Sequence, residues 1–148
     1  MQQAYKYSVL YFLVFSFLLL LSGVLLFEEK LGFSREGVLS YYLGDEERFT
    51  QPKSVAGILK IVLPHVFTFG LFVMVILHFL VFTKVKKTKK FQTIVYLSFA
   101  TAFSELFSPL FIVNGFEFFA YVKIASFFTF EFLILYVSWL LFKSIVYD

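Results

Sequence analysis

No cysteine occurs anywhere in the 148 residues. Its absence excludes disulfides, thiolate zinc sites, iron–sulfur clusters, covalently attached c-type haem and cysteine redox chemistry. Proline is scarce, with three residues, and histidine scarcer, with two. Charge is thin as well: Asp, Glu, Lys and Arg make up 16% of the chain. There is no nucleophile motif, no glycine-rich phosphate loop and no His-Glu-x-x-His run. Hydrolase chemistry therefore has no support, and a non-catalytic or electron-transfer role is expected instead. The net charge of +3 does not describe a nucleic-acid surface, because most of the excess sits in one segment, Lys84 to Lys90.

Hydrophobic residues fill the chain: they are 60% of it, 24 of them Phe, with a mean hydropathy of +0.86. A soluble domain cannot hide so many rings, whereas a bilayer accepts them on the outside of a bundle. Apolar spans run over about 7–27, 55–83, 91–113 and 118–142. Each meets the requirement of roughly 20 residues for crossing ~30 Å of hydrocarbon. Backbone polar groups need internal partners in lipid, and the period-two alternation of barrel strands is missing, so the spans are helices. The expected fold is all-α, an integral membrane four-helix bundle forming a single domain over residues 1–148. The first span is too long for a signal-peptide core and no small-x-small cleavage site follows it, so it is expected to stay as a helix.

Lys84, Lys86, Lys87, Lys89 and Lys90 crowd the loop between the second and third spans. Basic loops face the cytoplasm, which puts both termini there and the 28–54 loop outside. The expected location is a prokaryotic inner, or cell, membrane. The outer loop carries its own helix signal: Ser34 can cap a helix from Arg35 to Leu43, and Gly44 can end it. Its apolar side is Val38, Leu39, Tyr42 and Leu43, with Tyr41 and Tyr42 suited to the headgroup zone. Such a helix lies flat at the interface or covers a site that opens outward. Pro52 ends the loop and Ser54 caps the second span. The echo of Phe67-Thr68-Phe69-Gly70 in Phe128-Thr129-Phe130-Glu131 is what chance gives in a chain this rich in Phe.

Ionisable groups inside such spans are costly and mark function by default. They are His65 and His78 in the second span, Glu105 in the third and Glu131 in the fourth. Glu105 shares a helix face with Ser98, Thr101, Ala102, Ser108 and Pro109, a stripe of small and hydroxylic residues that packs against neighbouring helices. Pro64 and Pro109 each leave the carbonyl four residues earlier without its helical donor. Those carbonyls belong to Lys60 and Glu105. His65 and Glu105 lie at matched depth, and they are expected to approach each other in one polar pocket in the outer half of the bundle. Glu131 is expected either to join a relay through the bundle or to hydrogen-bond Ser126 or Ser138. Lys60 and Lys123, near the outer ends of their spans, are expected to snorkel to the headgroups. Trp139 and Tyr136 read as belt residues at the other end.

Two histidines 13 residues apart on one membrane helix resemble the ligand helix of the di-haem membrane cytochromes b. The resemblance covers that helix alone. It implies a haem b at each imidazole, with the opposing ligand supplied by another helix. The spacing is one residue short of that family's pattern. At ~20 Å and ~140° apart, His65 and His78 cannot share one metal or one haem. With no third histidine, the opposing ligand would come from another subunit, such as the symmetry mate's His65, or from another residue.

A quinone site fits the same inventory without haem: a hydrogen-bonding base, a carboxylate and aromatic rings near one membrane surface. Three readings follow. The first is a redox-linked subunit binding haem b or quinone through His65, Glu105, His78 and Glu131, with His65 and His78 as the metal ligands. The second is an accessory or assembly subunit whose polar residues only lock helices. The third is a component for proton or metal-cation transport. Each implies a homo-oligomer or membership of a larger membrane complex.

Overall fold

The computed structural model describes residues 3–47, 49–83 and 89–147. Lys84, Lys86 and Lys87 of the basic loop, and Arg48 of the outer loop, lie outside the described residues. Five helices follow one another: α1 (Gln3–Leu31), α2 (Arg35–Leu43), α3 (Val55–Val81), α4 (Lys89–Val113) and α5 (Phe119–Tyr147). All but α2 are long and apolar enough to cross a membrane. The protein is thus an all-helical bundle of four membrane spans. The only other regular pairing among the described residues is an isolated bridge between Asp45 and Thr50.

The bundle has two apolar cores. The one nearer the termini joins Val9, Val73, Ile76, Leu80, Ile134 and Val137. The other, towards α2, joins Phe27, Val38, Ile58, Val62, Ile112 and Ala120. Lys6 Nζ donates to the Ile145 carbonyl at 3.3 Å, so both chain ends lie at one end of the bundle. The central helix is α4, which packs against α3, α5 and α2. The peripheral one is α1, the least buried of the four spans.

The loop helix forms where its capping residues predict. Ser34 Oγ accepts from the Gly37 amide at 3.1 Å, and Gly44, at φ +85°, ends the helix. Ser54 caps α3 in the same way, accepting from the Gly57 amide at 3.1 Å. Ser34→Ala is expected to cost about 1 kcal/mol, seen as faster hydrogen exchange at the Gly37 amide. The helix is seated on the ends of α1, α4 and α5. Arg35 forms an ion pair with Glu117 in the turn between α4 and α5. The Lys53 amide donates to the Tyr42 carbonyl at 2.9 Å, and the Lys53 ammonium lies 4.2 Å from the centre of the Tyr41 ring. Gly37 is essential to this seat: a methyl group there would stand 2.1 Å from the Leu31 carbonyl oxygen. Tyr42, on the apolar side of α2, is buried against the bundle.

Candidate functional site

Beneath α2 lies a cavity of about 400 Å³. Its walls come from all five helices: Gly23 and Phe27 of α1, Tyr42 of α2, His65 and Phe69 of α3, Glu105 and Pro109 of α4, and Lys123 and Glu131 of α5 are among the residues lining it. It opens sideways, between α1 and α3. Among the described residues, ring contacts between those two helices involve only Tyr5 and Phe12 of α1, near the terminal end. Further along, Leu19, Leu26 and Ile61 line the cavity while remaining about half exposed on the outside of the bundle. In a membrane such a mouth faces acyl chains, so an apolar molecule can enter from the bilayer.

The sequence places a polar pocket here, and the cavity does bring His65, Glu105 and Glu131 together on its lining. The close partner of Glu105, however, is Lys123. Lys123 Nζ pairs with Glu105 Oε1 and also donates to the Glu105 carbonyl at 2.9 Å. That carbonyl is the one Pro109 deprives of its helical donor. One ammonium group therefore compensates a buried carboxylate and a proline defect together, and Ser108 Oγ adds a hydrogen bond to the same carbonyl at 3.3 Å. Lys123 is only 7% exposed and Glu105 8%. The expected snorkelling of Lys123 is overturned: its charge is stabilised inside the bundle, because a paired carboxylate lies within reach. Lys60, by contrast, is exposed.

His65 stands at the mouth rather than in the core. Its Nδ1–H donates to the Ile61 carbonyl at 2.6 Å, so in the neutral imidazole Nε2 is the acceptor nitrogen. It makes no hydrogen bond or ion pair with Glu105 among the described residues. His78 is exposed at the far end of α3, edge-on to Phe82 at 5.2 Å, and is not among the residues lining this cavity. The two histidines thus remain apart, and among the described residues no group of three or more His, Cys, Asp or Glu could hold a metal ion.

Glu131 lies deeper. It is 8% exposed, lines the cavity, and has no hydrogen bond or ion pair to protein among the described residues. Neither serine expected to bond it does so: Ser126 Oγ donates to the Lys123 carbonyl at 3.2 Å, and Ser138 Oγ is buried with no hydrogen-bond partner among the described residues. Across from it on α1 is Gly23, where a methyl group would stand 3.2 Å from Glu131 Oε1. Two aromatic stacks line the cavity, Phe69 on Phe130 at 5.3 Å towards the terminal end and Phe27 on Phe127 at 4.1 Å towards α2. Above, burial first, then the Glu105 carboxylate and Tyr41, hold the Tyr42 phenol far above its ordinary range. Its proton is thus retained at any physiological pH.

Sequence reasoning missed Lys123, Gly23 and the Arg35–Glu117 tie. A signal for Lys123 was available. It lies four residues into α5, and Glu105 eight residues before the end of α4, so opposite charges face one another at similar depth across a short turn. No curated protein and no solved structure matches the chain. A family of transmembrane helical domains matches residues 32–148, which takes in α2 to α5 and leaves α1 outside. With four membrane spans and most of its length matched, this integral membrane protein belongs to the Aq_1264_TM family of transmembrane helical domains.

Proposed function

We propose that the chain is a redox-linked subunit of the prokaryotic cell membrane that binds a lipid-soluble quinone, within a homo-oligomer or a larger complex. The observation carrying this reading is the cavity that opens towards lipid and ends at Lys123, Glu105 and Glu131. A quinone combines a flat ring, polar oxygens at opposite ends and an isoprenoid tail. The stacked phenylalanines suit the ring and the sideways mouth suits the tail. Lys123 has three N–H donors, and the two hydrogen bonds to Glu105 leave one for a ring oxygen. His65, with Nε2 as acceptor, can take a hydroxyl proton at the mouth. Interconversion of quinone and quinol moves two electrons and two protons. The electrons would pass to or from a metal centre of a partner redox subunit, and the protons through the groups of this cavity.

The donor set does not fit a bis-histidine haem b within one chain. His65 is the only histidine on the cavity lining, and the groups across the cavity are a paired lysine and carboxylates. A haem would need its opposing imidazole from a second copy.

The test is extraction of the protein purified in mild detergent, followed by chromatography of the extract and an absorption spectrum. Roughly one quinone per chain is expected, falling several-fold, and at most about tenfold, in His65→Ala as one neutral hydrogen bond is lost. A Soret band lost in His65→Ala, without quinone, would establish the haem version instead. Ion flux in vesicles abolished by Glu131→Gln would establish transport. With none of these signals, the buried Lys123–Glu105 pair is a helix lock and the chain an accessory subunit.

A further inference from the structure

We infer that Glu131 and Gly23 form a head-group subsite that selects the reduced, hydroxyl-bearing form of the ligand. This inference rests on the quinone reading above. Glu131 is more than nine-tenths buried, faces the cavity and receives no hydrogen bond from protein among the described residues. Of the other ionisable groups in the cavity's buried part, Lys123 and Glu105 are committed to one another, and the Tyr42 phenol keeps its proton. A buried carboxyl left without a partner is expensive in the interior of a membrane protein, and a ligand hydroxyl supplies the missing donor.

Gly23 gives the Glu131 carboxyl its room. Beside the Glu131 carboxyl, α1 presents no side chain, and even one methyl group there would stand 3.2 Å from Oε1, closer than ordinary packing. A methyl group at residue 23 would press on the carboxyl and turn it away from the ligand, so the carboxyl keeps its place only while residue 23 is glycine. The carboxyl accepts from a quinol O–H. It gains nothing comparable from a quinol dimethyl ether, which keeps the ring and the oxygens but lacks the donor. The remaining N–H of Lys123 serves the oxygen at the other end of the ring in either form. Inside the cavity, selectivity therefore comes from Glu131, and Gly23 keeps its carboxyl in place.

The experiment is anaerobic equilibrium binding of radiolabelled decylquinol and of its dimethyl ether to the full chain in nanodiscs. The wild-type protein is expected to hold the quinol roughly tenfold or more tightly than the ether, as one hydrogen bond to a buried carboxyl provides. Glu131→Gln keeps the shape and should reduce the difference several-fold. Glu131→Asp and Gly23→Ala should each weaken quinol binding. Combined, the shorter acid should make room for the added methyl, so that the double variant binds better than Gly23→Ala alone. Thermal unfolding of each variant separates a lost site from a lost fold, and Glu131→Asp keeps the acid should Glu131→Gln fail to fold. If the wild-type protein binds neither compound, the quinone reading itself fails. If it binds both equally, or if Glu131→Gln and Gly23→Ala leave the preference unchanged in folded protein, the subsite is refuted and the quinone reading stands.

Discussion

Lys123→Met is expected to destabilise the bundle by about 3–5 kcal/mol, the cost of leaving one partner of a buried ion pair behind. The loss has two separable parts. One is the Glu105 carboxylate without its counter-charge. The other is the Glu105 carbonyl, which Pro109 has already deprived of a helical donor and which Lys123 supplies at 2.9 Å. Lys123→Met with Glu105→Leu should recover most of the first part, because an apolar pair of similar size commonly replaces a buried ion pair without loss. Adding Pro109→Ala should recover part of the second, since an alanine amide can donate to that carbonyl. Unfolding in mixed detergent micelles, with sodium dodecyl sulfate as denaturant, reads all four proteins. Equal stability of Lys123→Met and wild type would show that the pair does not hold α4 to α5.

Gly37→Ala is expected to unseat α2. The added methyl would meet the backbone of Leu31 at 2.1 Å, and a backbone atom cannot rotate away as a side chain can. Either α2 shifts or the end of α1 does, at a cost of about 3 kcal/mol, the upper part of the usual range for overpacking. Tyr42 would leave the top of the cavity, the Arg35–Glu117 pair would break, and trypsin would cut the loop faster. Gly70→Ala is the matched control. Nothing lies within 4 Å of a methyl group there, and the residue is inside α3. Alanine should be neutral there, or stabilise by up to about 1 kcal/mol through helix propensity. Unfolding curves and limited proteolysis of the two variants side by side check both expectations.

Several features were legible before any coordinates, each for a local reason. The spans follow from the length of their apolar runs, which lipid forces into helices. The bounds of α2 follow from Ser34 and Gly44, residues that satisfy or release a helix end by themselves. The inward face of α4 follows from small residues at offsets of three, four and seven around Glu105, and all five of those residues are buried. What was illegible depends on rotation of one helix against another. A lysine one turn inside a span reads equally well as snorkelling or as buried, and only the facing of α5 towards α4 decides. His65 and Glu105 share a depth, yet depth does not choose partners: the ammonium of Lys123 outcompetes the imidazole for the carboxylate. The close approach of Gly23 to Glu131 was invisible for a similar reason, since a glycine in an apolar helix declares nothing until something opposite needs its room.

Because every exposed residue of the cavity's lining lies on α1 or α3, acyl chains cover that side of the cavity in a membrane. The bilayer completes the wall. Acyl tails are then a structural component, and their length, saturation and order become variables of the site itself. A detergent with a short or bulky tail would caulk that seam differently, so affinities measured in micelles and in native lipid should diverge even for an unaltered chain.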